Sequence, residues 1–543
     1  MRCLFQWKRT VWIFTLIAAG AIPTAAQQTE DLQKQLDQLK QQYEQNMKDM
    51  EQRLVALEEQ ISKQKSAQAK EEQTVKADEA KKVPTVASIE ATAQEAAIKA
   101  VHGNGDQVGP KFQGQVPSEP TYDLLQEADE KIARLKEQVG AFEFHGYLRS
   151  GYGLNSEGGQ QVAFEAPGAD AKFRLGNEAE TYGEFILVNN WLNPDRPADK
   201  AWLKTEVMIE ANTGNYASYA NFPNAANNDQ YRLREAFVQA GHILDFQPDA
   251  KFWAGERYYR RQHIEIDDFY TLDMSGYGAG VEDWNLRIGK MSVAFLAGAR
   301  PDIVTQYGNY AKSNIDVRFY NLKGPLGLWG AWFDYSVAKG GTAQNAQLIP
   351  TADGYAFGIR QQNLEWHGGY HTFTFQYGKG AASNFSTSLD NPSPFLKDSE
   401  RIQIAEHLLV QPNDRFAIMP IFVFRRSRDG QPGHGFNDWA SFGVRPEVFF
   451  TKYISLAFEA GADHTEGFVN TQTGVNANFD GWLRKFTIAP QIGAGRQFFS
   501  RPVLRLFLTY ANWSNGFRGF VGGIPFEDRT SGLTYGVQAE TWW

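Results

Sequence analysis

From residue 142 onward the chain alternates between apolar and polar positions. Phe142, Phe144, Gly146, Leu148, Ser150 and Tyr152 form one set; Glu143, His145, Tyr147, Arg149 and Gly151 form the other. A period of two is that of a strand with one apolar and one wet face. The pattern returns in 370–378, where His371, Phe373, Phe375 and Tyr377 oppose Tyr370, Thr372, Thr374 and Gln376. It returns in 504–510, where Leu504, Leu506, Leu508 and Tyr510 oppose Arg505, Phe507 and Thr509. In 533–543, Leu533, Tyr535, Val537, Ala539, Thr541 and Trp543 oppose Thr534, Gly536, Gln538, Glu540 and Trp542. Aromatics near strand ends suit the interfacial girdles of a membrane barrel. An open sheet in lipid would leave its edges unsatisfied, so the sheet must close. At roughly 20 to 24 residues per strand and connection, residues 141–543 predict an all-β transmembrane barrel of about 18 antiparallel strands.

The first quarter of the chain has a different period. Leu32, Leu36, Leu39, Tyr43, Met47, Met50, Leu54, Leu57 and Ile61 are spaced by threes and fours, a heptad seam with one inserted step. It predicts an N-terminal α-helical coiled-coil extension over 27–62 that self-associates. Residues 63–120 lose the pattern and read as a linker. A second short helical seam over 121–140 carries Leu125, Ala128, Ile132, Leu135 and Val139. Residues 1–26 read as a signal peptide: Arg2, Lys8 and Arg9, then an apolar stretch over 11–22, then Thr24-Ala25-Ala26.

Composition places the boundary. Residues 27–140 hold only three aromatics, Tyr43, Phe112 and Tyr122, while 67 fall in 141–543. The formal charge is -9; the signal segment has three basic residues and no acid, so its removal leaves -12. That sign argues against nucleic acid as a partner. The single cysteine, Cys3, would leave with the signal segment, which excludes a disulfide scaffold, a thiolate metal site and a cysteine nucleophile. A mean hydropathy of -0.47 excludes a helical membrane bundle and suits a polar lumen. No P-loop, nucleophile elbow or zinc-protease motif is present, so the chain reads as no enzyme, with no catalytic residue, metal or cofactor. Asp267 and Asp268, with Glu265 and His263 nearby, would point to opposite faces if extended and could not act as a paired acid and base. The run Arg425-Arg426-Ser427-Arg428 reads as a loop or lumen patch.

Three aromatics break the alternation. Tyr147 sits among charges on the first strand, Trp542 lies beside Glu540 on the last, and Tyr182 shares a face with Glu180 and Glu184. Each could simply fill space, but several together suggest a stacking track. A sugar ring offers a C–H face to aromatics and a hydroxyl rim to charged groups. Arg149, Arg174, Glu184, Arg234, Arg261 and Asp268 could supply that rim, and their mixed sign suits neutral polyols better than ions.

The segments FHGYLRSGYG (144–153), KFRLGNEAETYGE (172–184), REAFVQ (234–239), FWAGERYYRR (252–261), DDFYTLDMSGYGAGVE (267–282), SRPVLRLFLTYANW (500–513) and the terminal ETWW resemble the maltoporin and sugar-porin family of Gram-negative outer membranes. The resemblance implies an 18-stranded barrel, assembled as a homotrimer in outer-membrane lipid, that passes oligosaccharides by facilitated diffusion. It places the family's aromatic slide on Tyr147, Tyr182, Tyr370, Phe499 and Trp542. It places the polar track on Arg149, Arg174, Glu184, Arg234, Arg261 and Asp268, with Tyr270 as the constriction tyrosine. A slide tryptophan given by a neighbouring subunit has no clear match; Tyr216, Tyr219 and Phe222 are the candidates. Ala163 and Ala179 stand where maltoporin's first loop has a disulfide, so a looser loop is expected. The N-terminal extension resembles that of sucrose porins, and would sit in the periplasm within reach of a sugar-binding protein or the cell wall. Linear glucosides lead as substrate, with sucrose or other oligosaccharides close behind. Two other functions remain: a general, non-selective porin, and a structural tether through the coiled coil.

Overall fold

The computed structural model describes residues 142–193, 199–213, 230–389, 393–470 and 476–543. The signal segment, coiled coil, linker and second seam lie outside the described residues, as do Tyr216, Tyr219 and Phe222.

Eighteen strands follow one another in the chain: β1 (Phe142–Asn155), β2 (Thr181–Leu192), β3 (Trp202–Thr213), β4 (Gln230–Gly241), β5 (Lys251–Arg257), β6 (Gly276–Asn285), β7 (Lys290–Thr305), β8 (Gly308–Gly324), β9 (Gly327–Ala338), β10 (Ala352–Trp366), β11 (Gly369–Gly380), β12 (Glu400–Asn413), β13 (Phe416–Arg428), β14 (Asn437–Phe449), β15 (Ile454–Asn470), β16 (Asn476–Gly493), β17 (Val503–Trp513) and β18 (Ser531–Trp542). Each pairs antiparallel with the next, and β1 pairs with β18, setting Tyr147 opposite Trp542. The sheet therefore closes with 18 strands and has no free edge. Among the described residues there is no α-helix.

Burial is inverted relative to a soluble protein. On β17, Leu504, Leu506, Leu508 and Tyr510 are exposed, while Arg505, Phe507 and Thr509 are buried. On β11, Tyr370, Thr372, Thr374 and Gln376 face inward. The apolar outer face belongs to lipid; the polar inner face belongs to a lumen. Arg425 is buried on the lumen face of β13, whereas Arg426 and Arg428 near the strand's end are exposed and pair with Asp438 and Glu400. The basic run is thus one lumen residue and a strand end.

Most strand ends alternate between shorter turns at one end and longer connections at the other, the two-residue turn 306–307 being an exception. Two long connections position the site. Residues 156–180, between β1 and β2, carry buried Phe164, Phe173, Arg174 and Leu175. Residues 258–275, between β5 and β6, contain a small inward hairpin, Gln262–Ile264 against Phe269–Leu272.

Candidate functional site

Strand alternation turns Tyr147 of β1 and Trp542 of β18 inward, and the β1–β18 register sets them side by side. Their rings lie 6.4 Å apart and near parallel at 25°. The β1–β2 register brings Tyr182 beside Arg149, and the Tyr182 ring lies 6.0 Å from Tyr147. Phe499, in the turn between β16 and β17, lies 6.5 Å from Trp542. Tyr182, Tyr147, Trp542 and Phe499 are thus in consecutive ring contact, running from the long-loop half toward the short-turn end. Tyr370 belongs to the same inner cluster, with its own ring against His407 at 5.6 Å. Four of these rings are closely covered: Tyr147 is 2% exposed, Trp542 8%, Phe499 3% and Tyr370 0%.

Charges hold the track. Glu540 accepts from the Tyr147 hydroxyl at 3.0 Å, from Arg501 Nε at 2.8 Å and from Arg505 at 2.7 Å. The Arg501 guanidinium lies 4.4 Å from the Trp542 ring. Arg174 donates to Glu178, Glu265 and the Tyr147 hydroxyl at 2.9 to 3.0 Å. Arg149 pairs with Glu178 and Glu180 and stands 4.9 Å over Tyr182, whose hydroxyl donates to Glu184 at 2.6 Å.

The inward hairpin carries the second group. Arg261 lies between two rings, 3.5 Å from the Tyr258 centroid and 4.7 Å from that of Tyr270. Tyr270 packs on His263 at 4.4 Å, and His263 bonds Asp268 at 3.0 Å. Burial would raise the Asp268 carboxyl, but the His263 hydrogen bond and the charges of Arg174 and Lys172 hold it well below the usual carboxylate range. Asp267 behaves oppositely. It is buried with no partner for either oxygen, and burial plus the charges of Asp463 and Asp268 push it well above that range. The two aspartates do diverge, but because Asp268 sits in the left-handed region (φ 53°) rather than by strand alternation.

The structure therefore brings Tyr147, Tyr182, Phe499 and Trp542 together with Arg149, Arg174 and Glu184, and groups Arg261, Asp268 and Tyr270 on the hairpin. Glu184 lies within electrostatic reach of Arg261 and Tyr270 and joins the groups. Arg234, on β4, is paired with Glu210 and lies within electrostatic reach of Tyr258 and Tyr182. Sequence reasoning missed Glu540 as a hub, along with Arg501, Arg505, Glu178, Glu265 and Tyr258. Glu540 and Arg505 carried a signal, being charged residues at inward positions of their strands; Arg501, in a turn, carried none. In the first connection Asn177 exchanges hydrogen bonds with the Phe164 backbone, N–H to Oδ1 at 3.1 Å and Nδ2 to carbonyl at 3.0 Å.

Among the described residues, no three His, Cys, Asp or Glu side chains are grouped to hold a metal ion. A family model described as LamB porin matches residues 142–543. Among solved structures the chain is similar to OccAB4 of Acinetobacter baumannii, at 12% identity over 75% of this chain and 99% of that one, with a TM-score of 0.39. It is similar to OpdK of Pseudomonas aeruginosa, solved with vanillate, at 10% identity over 74% and 99%, TM-score 0.39. It is also similar to a trimer form of OmpT of Vibrio cholerae, at 8% identity over 75% and 100%, TM-score 0.32.

Proposed function

The chain belongs to the LamB porin family, an outer-membrane channel and not an enzyme, and from that premise we propose that it passes sugars by facilitated diffusion. The observation that carries this is the unbroken contact of Tyr182, Tyr147, Trp542 and Phe499 down one inner wall. A sugar meets the half-buried groups first: Tyr182, Arg261, Asp268 and Tyr270. It then moves along the covered rings, its hydroxyls replacing protein hydrogen bonds made by Arg174 and Arg149. Each contact must stay weak, because tight binding would trap the sugar. Flux follows the gradient, with no chemistry and no energy source.

The substrate class is a linear glucoside such as a maltodextrin, with a sucrose-like oligosaccharide second. The same reading takes residues 1–26 as an export signal, the working unit as a homotrimer, and 27–140 as a periplasmic extension. The test is single-channel conductance in a planar bilayer, titrated with maltotriose and then sucrose. Saturable block identifies a selective sugar channel, and the better blocker names its class. Conductance without block makes it a general porin; no conductance shifts the weight to a tether. Deleting 27–140 separates the roles: a channel keeps its conductance, a tether loses envelope attachment.

A further inference from the structure

The connection 156–180 does not merely link β1 to β2. Its backbone is bound step by step around the inner wall. Gln538 of β18 donates to the Glu178 carbonyl, and Thr509 of β17 donates to that of Gly176. Thr487 and Lys485 of β16 both donate to the Leu175 carbonyl, while the Leu175 N–H donates to Glu459 of β15. The run ends at Phe173, 2% exposed. Gly443 of β14 and Gly461 of β15 are directly paired across the sheet, and a methyl group on either would overlap the Phe173 ring. Two glycines thus leave a window in a wall of side chains, and one phenylalanine fills it.

The opposite edge of this segment carries the hairpin tip. Lys172 N–H donates to the Asp267 carbonyl at 3.1 Å, and Arg174 N–H to that of Ile266 at 2.9 Å. Phe173, Ile264, Ile266 and Phe269 share one apolar cluster with Trp439. The tip between the hairpin strands therefore rests, at 266–267, on the first connection. What holds 172–174 in place also places Asp268 and Tyr270.

We propose that Phe173, seated against Gly443 and Gly461, is a positioning residue that sets the width of the pore by pinning the first connection under the inward hairpin. It touches no solute itself. It acts through backbone hydrogen bonds on the groups that narrow the passage. This rests on the channel reading only in taking the hairpin as the narrow point; it is independent of which solute passes.

The experiment uses the full chain in planar bilayers and in liposomes, with neutral polyols of graded size. Phe173→Ala empties the window; Gly461→Val fills it and evicts the ring. Both should raise conductance by about twofold or more and admit larger polyols, since passage is governed by pore diameter and lining. Phe173→Leu, which still occupies the window, should stay near the wild-type cut-off. Barrels that assemble as either of the first two variants with wild-type conductance and cut-off would overturn the proposal. If Phe173→Ala does not assemble, Gly461→Val tests the same contact from the wall side. Maltotriose block of the wild type is read separately. A wider variant of a channel that sugar never blocks leaves this inference standing and removes the sugar reading; an unchanged cut-off in a channel that sugar does block does the reverse.

Discussion

The aromatic wall and the inward hairpin are held in place in opposite ways. On the wall, Tyr147 and Trp542 are placed by regular strands, and their neighbours are salt-linked charges: Glu540, Arg501, Arg505 and Arg174. On the hairpin, Arg261, Asp268 and Tyr270 are placed by irregular backbone, and each is held by an aromatic or histidine neighbour. The wall is rigid because its backbone hydrogen bonds belong to a closed sheet. The hairpin tip is only as rigid as the loop beneath it. A strand-borne site should thus fail through its charges, and a loop-borne site through its support.

The sharpest break falls on the wall. Glu540 is 4% exposed and faces three arginines. Glu540→Ala removes the carboxylate that pairs with Arg501 and Arg505, while Arg174 keeps Glu178 and Glu265, and removing one partner from a buried ionic cluster costs about 3 to 5 kcal/mol. The variant barrel should unfold at markedly lower denaturant than the wild type, read by the heat and detergent resistance of the folded band. Unchanged resistance would mean that the lumen solvates these charges and that the hub holds nothing. Next in size is the pair Tyr147→Ala with Trp542→Ala. Losing two stacking faces should weaken sugar block by about tenfold or more, ~1.4 kcal/mol or above, while ion conductance stays equal or rises. Unchanged sugar affinity would remove the slide.

How much of this was legible follows the same division. Strand alternation marked Tyr147, Tyr182 and Trp542 as aromatics on a wet face, and barrel closure explains why the first and last strands meet. The strand number came from average spacing, because every connection adds an uncertain length. Phe499 and Tyr370 were reachable only through family resemblance: Phe499 lies in a turn with no period, and Tyr370 opens a strand whose other inward residues are Thr372, Thr374 and Gln376. The partners of Glu540 were not legible, since spacing along a chain does not say which charges converge across a lumen. Phe173 was invisible for the same reason. Its meaning lies in two glycines 18 residues apart on strands it does not belong to.

The hairpin gives smaller effects. Asp268→Asn keeps an acceptor for His263 but offers a sugar hydroxyl a neutral group in place of a charged one, and a hydrogen bond to a charged group exceeds a neutral one by about 1 kcal/mol. Sugar block should weaken by about fivefold. That is less than on the wall, and the folded band should be unchanged. A larger loss than the double slide variant would reverse the ranking and make the hairpin the principal binding element.

The smallest effect sharpens the contrast most, because it separates support from chemistry on adjacent residues. Asp267 makes no side-chain hydrogen bond, and its carboxyl is raised by burial and by Asp463 and Asp268. Below the ordinary aspartate value, about 3.9, folded and unfolded chains are both protonated there and the group adds no pH dependence. Above it the unfolded chain releases the proton while the folded chain keeps it. Stability attributable to this residue therefore falls as pH rises from that value toward the raised folded value. Asp267→Asn removes the titration without changing the side chain's size. The variant should lose that fall: its stability relative to wild type should improve from acid to neutral pH, measured as denaturant midpoints at matched pH. Sugar block and conductance should not move, because Asp267 faces Asp463 and the wall while its neighbour Asp268 faces His263. A variant whose midpoint tracks the wild type across that range would show Asp267 to be ionised and solvated in the fold, and the tip to be looser than its hydrogen bonds to 172–174 imply.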